Sequence, residues 1–136
     1  MARLAAARPQ TLKDVSYDWY GYSNPHPDRH DLSRYHGLNL NSFFFRRTIE
    51  FCYFNGTLHA GEIKAYVQLA LAFAAKALSS STENTKQLAF DQATVKRDFL
   101  AELGHLGMSG DEFKTARLHL TKHLPGSATR KRPRVA

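Results

Sequence analysis

A single cysteine, Cys52, leaves this sequence unable to form an internal disulfide. That shortage makes a reducing cytoplasm the expected compartment. Long hydrophobic runs are missing as well. The most apolar stretch, Ala65 to Ala75, is shorter than the roughly 20 residues that span a bilayer, and Gln68 interrupts it. No membrane association is therefore expected. The opening "MARLAAARPQ" lacks the continuous apolar core of an export signal, because Arg8 and Pro9 break it. No internal repeat or heptad run is present, which argues against a solenoid or a coiled coil.

What is present suits one modest domain: 136 residues, 43% of them hydrophobic. Basic residues outnumber acidic ones, giving a net charge of +7. Arg130, Lys131, Arg132 and Arg134 crowd the closing "GSATRKRPRVA", and taking those four from +7 leaves +3 for the remainder. With Gly126, Pro133 and only Val135 as a large apolar residue, residues 127–136 are expected to be a disordered basic tail. Such a tail suits contact with nucleic acid, acidic protein or another anionic surface, or use as an address signal. The simpler reading is a solubilising terminus.

Along the chain, Leu12, Val15 and Trp19 recur at helical spacing after a Pro9 turn. The Pro-, His- and Asp-rich "NPHPDRHDLSRYHG" reads as an exposed connection. "LNLNSFFF" is expected to be a strand, turning near Arg46 and Arg47 to pair with a second, antiparallel strand from Thr48 to Phe54. Strand alternation puts Ile49, Phe51 and Tyr53 on one face, the expected core face. Thr48, Glu50, Cys52 and Phe54 share the other, which suits the floor of a cleft.

Ala60 to about Leu78 carries the clearest helical signal, with Ile63, Val67, Ala70, Leu71, Ala74 and Leu78 in an apolar stripe. "SSSTENTKQ" follows as a linker. A further helix is expected from near Asp91, burying Val95, Phe99, Leu100 and Leu103 and ending at Gly104. Ser109 and Glu112 have capping-box spacing ahead of a last helix that points Phe113, Ala116, Leu120 and Leu124 inward.

Metal ligation has two sequence candidates. His119 and His123 lie four apart on the last helix, with His105 as a third ligand that nothing in the sequence fixes; solvent-facing histidines are the simpler account. His26, His30 and His36, with Asp28 and Asp31 nearby, match no zinc module. Cys52, alone on an aromatic strand, reads as a small hydrophobe without an identifiable activating base.

The separated blocks "RYHGLNL", "TIEF", "FNGTLHAG" and "GDEFKTARLHL" occur in an order that resembles the C-terminal half of the bacterial and mobile-element amidoligase family, from about Pro9 to Gly126. The resemblance implies an arm over residues 1–8, a half-domain over 9–126 and the tail over 127–136. The expected fold is α+β: a small antiparallel sheet packed on one face by three to four helices, as in the C-terminal part of a glutamine synthetase-like ligase. Such ligases use ATP and Mg²⁺ to join a carboxylate to an amine, as relatives of glutamine synthetase and glutamate–cysteine ligase.

By resemblance Glu50 is the catalytic and metal-binding carboxylate, and Arg34, Asn39 and Arg46 lie near the cofactor. Cys52 stands where the family has an arginine, and a thiol supplies neither fixed charge nor a fork of donors. Arg47 stands at a family glycine. The expectation is a truncated amidoligase-like protein without ligase turnover of its own, acting through a retained binding surface. A complementary protein half, a macromolecular partner or a second copy of the chain would cover it. The alternative is a phage or mobile-element accessory protein that inhibits a host or defence complex, the tail Arg130, Lys131, Arg132 and Arg134 aiding contact.

Overall fold

The computed structural model describes residues 8–21, 30–80 and 89–129, with the side chains of residues 33 and 34 left out of the description. The basic tail at Arg130 to Arg134 and the histidine at 26 therefore lie outside the described residues. Two units divide at Asn55 and Gly56. The architecture is α+β, with five α-helices and one small antiparallel sheet among the described residues.

In the unit that ends at Asn55, helix α1 spans Leu12–Tyr20. It begins at Thr11, whose hydroxyl accepts from the Asp14 amide at 3.2 Å while the Asp14 carboxylate accepts from the Thr11 amide at 2.8 Å. This reciprocal cap satisfies amides that a helix start leaves without partners. At the other end of α1, the Tyr20 hydroxyl accepts from the Leu40 amide at 2.9 Å and ties the helix to the sheet.

The sheet pairs β1, Leu38–Asn39, with β2, Glu50–Phe51, in antiparallel register Leu38 to Phe51 and Asn39 to Glu50. One more bond, from the Cys52 amide to the Gly37 carbonyl at 2.6 Å, continues the ladder. The pairing and its direction follow the sequence expectation, but the strands are much shorter. "NSFFFR" forms helix α2, Asn41–Arg46, instead of extending the first strand. The cause is local: the Asn39 side-chain oxygen accepts from the Asn41 amide at 2.8 Å and turns the chain out of the ladder.

Helix α2 closes on Arg47, whose φ of 61° is left-handed and whose amide donates to the Phe43 carbonyl at 3.1 Å. Position 47 thus has a backbone suited to glycine while carrying arginine. The expected core face of the second strand is a correction: Ile49 and Tyr53 are 51% and 62% exposed. A ladder of two residues per strand is too short to cover alternate side chains. Thr48 and Cys52 are exposed too, so the opposite face is not a closed floor either.

The other unit is helical. Helix α3, Ala60–Ser79, forms where expected, and none of the described helices is long and apolar enough to cross a membrane. Its packing face differs from the expected stripe: Ala65 and Leu69 are buried, whereas Val67, Leu71 and Leu78 are 53%, 64% and 90% exposed. So much of α3 is apolar that periodicity alone selects no single face. Small Gly61 and Ala65 on the turns leading to Leu69 allow close approach, and α3 packs most extensively on the last helix.

Helix α4 spans Val95–His105 and buries Leu103, with Val95, Phe99 and Leu100 half-buried. It continues through Gly104. Its end lies at Gly107, φ 82°, where the Met108 amide donates to Leu103 O at 2.8 Å and the Gly107 amide to Gly104 O at 2.9 Å. Leu103 and Met108 are both fully buried, the apolar contact that accompanies such a terminus.

The expected Ser109/Glu112 capping box does not form. A 3₁₀ turn, Asp111–Phe113, starts from Gly110 without a side-chain cap and leads into helix α5, Lys114–Thr121. Arg117 holds this corner instead, donating to Met108 O at 2.7 Å and Gly110 O at 2.8 Å. Ala116 and Thr121 are buried, with Phe113, Leu120 and Leu124 half-buried.

Candidate functional site

Glu50 is fixed at both carboxylate oxygens. Asn39 Nδ2 donates to Oε2 at 2.6 Å, and Ser42 Oγ donates to Oε1 at 2.7 Å. Asn39 and Ser42 are 2% and 4% exposed, so their positions are set by packing rather than by solvent. The ladder places Asn39 directly opposite Glu50, and the turn into α2 brings Ser42 beneath the same carboxylate.

These residues line a concavity of about 350 Å³ together with His30, Asn41, Phe45 and Arg46. Arg46, at the last turn of α2, adds a cation to the same wall. The concavity is large enough for a phosphate-bearing or small carboxylate ligand. Its chemistry is that of a preset carboxylate beside a guanidinium.

Of the residues singled out in the sequence, Glu50, Asn39 and Arg46 therefore come together. Asn39 is buried and already bonded, so it positions Glu50. Arg34 lies in a 3₁₀ turn, Leu32–Tyr35, and its side chain is outside the description. Ser42 was hidden in the sequence because "NSFFF" reads as strand, which would have assigned its side chain by alternation. His30 carries no local signal that joins it to Glu50. Cys52 is exposed, not the buried small hydrophobe expected.

A second cluster lies in the helical unit. His59, Glu62 and His119 can each offer one ligand atom, and those atoms lie within 4.8 Å of one another. His59 caps α3, its Nδ1 accepting from Gly61 N at 3.1 Å and Glu62 N at 3.4 Å. Glu62 accepts from Lys122 Nζ and from Thr57 Oγ1, and these bonds, the lysine first, lower its pKa to about 2. The His119 ring lies 4.7 Å from that of His59, centroid to centroid, tilted by 56°.

This corrects the sequence reading of His119 as solvent-facing. It is half-buried, and its neighbours are His59 and Glu62 rather than His105 or His123, which are exposed. The sequence held one signal for this grouping, the HxxE spacing of His59 and Glu62 across the start of α3.

The arrangement is thus a carboxylate positioned by amide and hydroxyl donors beside an arginine, on an α+β frame. Residues 1–74 match the family described as "Putative amidoligase enzyme". That is more than half of the 136 residues, and the chain belongs to this family. No curated protein and no solved structure matches it. The matched segment contains Arg34, Asn39, Arg46, Glu50 and Cys52, whereas "GDEFKTARLHL" lies beyond it.

Proposed function

We propose that this amidoligase-family chain binds a phosphate- or carboxylate-bearing ligand over Glu50 and does not complete amide ligation by itself. The observation that carries this reading is the Glu50 carboxylate, fixed by Asn39 and Ser42 beside Arg46 in an open concavity.

The donor set fits Mg²⁺ with ATP in part. Mg²⁺ takes hard oxygen ligands and is commonly held by one or two carboxylates together with substrate phosphates. Glu50 offers one such carboxylate, oriented by Asn39 at one oxygen and by Ser42 at the other. When bound, Mg²⁺ would draw charge from the phosphates. Arg46 would meet phosphate or carboxylate charge through its planar donors, and by family resemblance Arg34 would do the same.

Cys52 weighs against turnover. At the family's arginine position it provides no fixed positive charge for the developing phosphoryl charge, a loss that commonly costs about 2.7–4 kcal/mol in the transition state. A partner protein that brings a cation beside Glu50 would supply what Cys52 lacks. A reducing cytoplasm would keep the exposed Cys52 thiol free.

Calorimetric titration of the full chain with Mg·ATP tests the reading. Saturable binding that Glu50→Gln weakens, with no amine-dependent release of ADP, is expected. Amine- and carboxylate-dependent ATP hydrolysis abolished by Glu50→Gln would overturn the inactivity. Mg·ATP binding unaffected by Glu50→Gln would overturn the assignment of the site. Absence of nucleotide binding would move the weight to a macromolecular partner.

A further inference from the structure

His59, Glu62 and His119 all belong to the helical unit, and the reading proposed for Glu50 makes no use of them. We propose that these three side chains form a binding site for a borderline divalent transition-metal ion, with Zn²⁺ the representative case. Two imidazoles and a carboxylate favour such an ion over Mg²⁺ or Ca²⁺, which prefer all-oxygen shells.

The elements present the ligands from two sides. His59 and Glu62 flank the first turn of α3, three residues apart, and His119 faces them from α5. Gly61 lies between: a β-carbon added there would meet His119 Nε2 at 2.6 Å and His59 Cε1 at 3.0 Å. The glycine therefore leaves room for both rings to converge over the helix start.

Geometry sets how far the site must close. Metal–ligand bonds near 2.0–2.2 Å in a tetrahedron place ligand atoms about 3.3 Å apart. The present atoms lie within 4.8 Å of one another, so side-chain rotation of about 1.5 Å brings them onto one ion. Three protein ligands then leave a fourth position for water or another donor.

Two further features bear on occupancy. His119 Nδ1 is buried without a hydrogen-bond partner, so no fixed partner dictates which nitrogen carries the proton, and Nε2 can present its lone pair toward Gly61. Lys122 meanwhile places its ammonium on Glu62. An ammonium and a metal ion compete for one carboxylate, and the Lys122 side chain, 35% exposed, can withdraw into solvent as the metal arrives. His59 must also give up its bonds to the Gly61 and Glu62 amides if it ligates through Nε2. Those bonds, at 3.1 and 3.4 Å, are long and exposed to water that can replace them.

The test is titration of the full, untagged chain with Co²⁺, followed by its visible absorption, with Zn²⁺ added as competitor. Binding of one equivalent with a four-coordinate spectrum is expected, displaced by Zn²⁺. Glu62→Gln, His119→Gln and Gly61→Ala, the last of which keeps all three ligands but fills the space between the rings, should each weaken binding at least about tenfold. His105→Gln and His123→Gln should leave it unchanged. Lys122→Met should tighten it, an effect that loss of folding cannot imitate and that carries the test if a ligand variant fails to fold. Binding that survives His119→Gln, falls equally with His123→Gln, or does not strengthen in Lys122→Met would overturn the proposal, as would the absence of stoichiometric Co²⁺ binding.

Discussion

Asn39 and Glu50 face each other across the two-stranded ladder, and the Asn39 amide donates to Glu50 Oε2 at 2.6 Å while its oxygen accepts from the Asn41 backbone. One buried side chain thus aims the carboxylate and turns the chain into α2. Asn39→Ala should cost about 1–3 kcal/mol, because it strands a buried amide and removes a donor from a charged group. Urea unfolding of the variant measures this; a cost below about 0.5 kcal/mol, the range of surface substitutions, would deny Asn39 the positioning role.

Arg47 bears the left-handed backbone that glycine tolerates without steric cost. Its guanidinium lies 5.4 Å from the Phe43 ring centroid, a contact that offsets part of the strain. Arg47→Gly should raise stability by up to about 1 kcal/mol, the lower end of the penalty for a left-handed L-residue. Thermal unfolding would show a higher midpoint. A lowered midpoint would mean that the Phe43 contact outweighs the backbone strain.

Asp14 is held below its ordinary pKa of 3.8, first by its side-chain hydrogen bond with Thr11 and then by the Thr11 backbone amide. A depressed value in the folded state means that the cap's support is complete above the ordinary carboxylate range and is lost as pH falls through the lowered value. The Thr11 amide chemical shift should therefore titrate with a midpoint below 3.8, and Asp14→Asn should abolish that titration. A midpoint above 3.8 would mean that the cap is not formed in solution.

Gly126 combines a φ of 85° with close backbone contact: a β-carbon there would lie 2.6 Å from the Ala93 carbonyl oxygen. Neither strain nor crowding can be relieved by rotating a side chain. Gly126→Ala should cost about 1–3 kcal/mol, whereas Ser127→Ala, exposed next to it, should stay within about 0.5 kcal/mol. Equal midpoints for the two variants in chemical denaturation would count against this contact.

The sequence by itself determined the helices that carry strong local signals and the direction of the strand pair. α3 needed only its long apolar run, α1 the spacing of Leu12, Val15 and Trp19, and β1 and β2 their flanking apolar blocks. It also singled out Glu50, Asn39 and Arg46, through motif order rather than periodicity. Tertiary structure decided which apolar face of α3 was buried, because Ile63, Val67 and Leu71 satisfy the same period as the face of Ala65 and Leu69. It decided that "NSFFFR" is helical, through one side-chain bond from Asn39 to Asn41 that competes with the β preference of three phenylalanines. It alone brought His119 to His59 and Glu62. The 60 residues that separate Glu62 from Lys122 across the same cluster show why. Hydrogen bonding and metal ligation depend on distance in space, and local sequence patterns report only the neighbours that a helix or strand brings round within a turn or two.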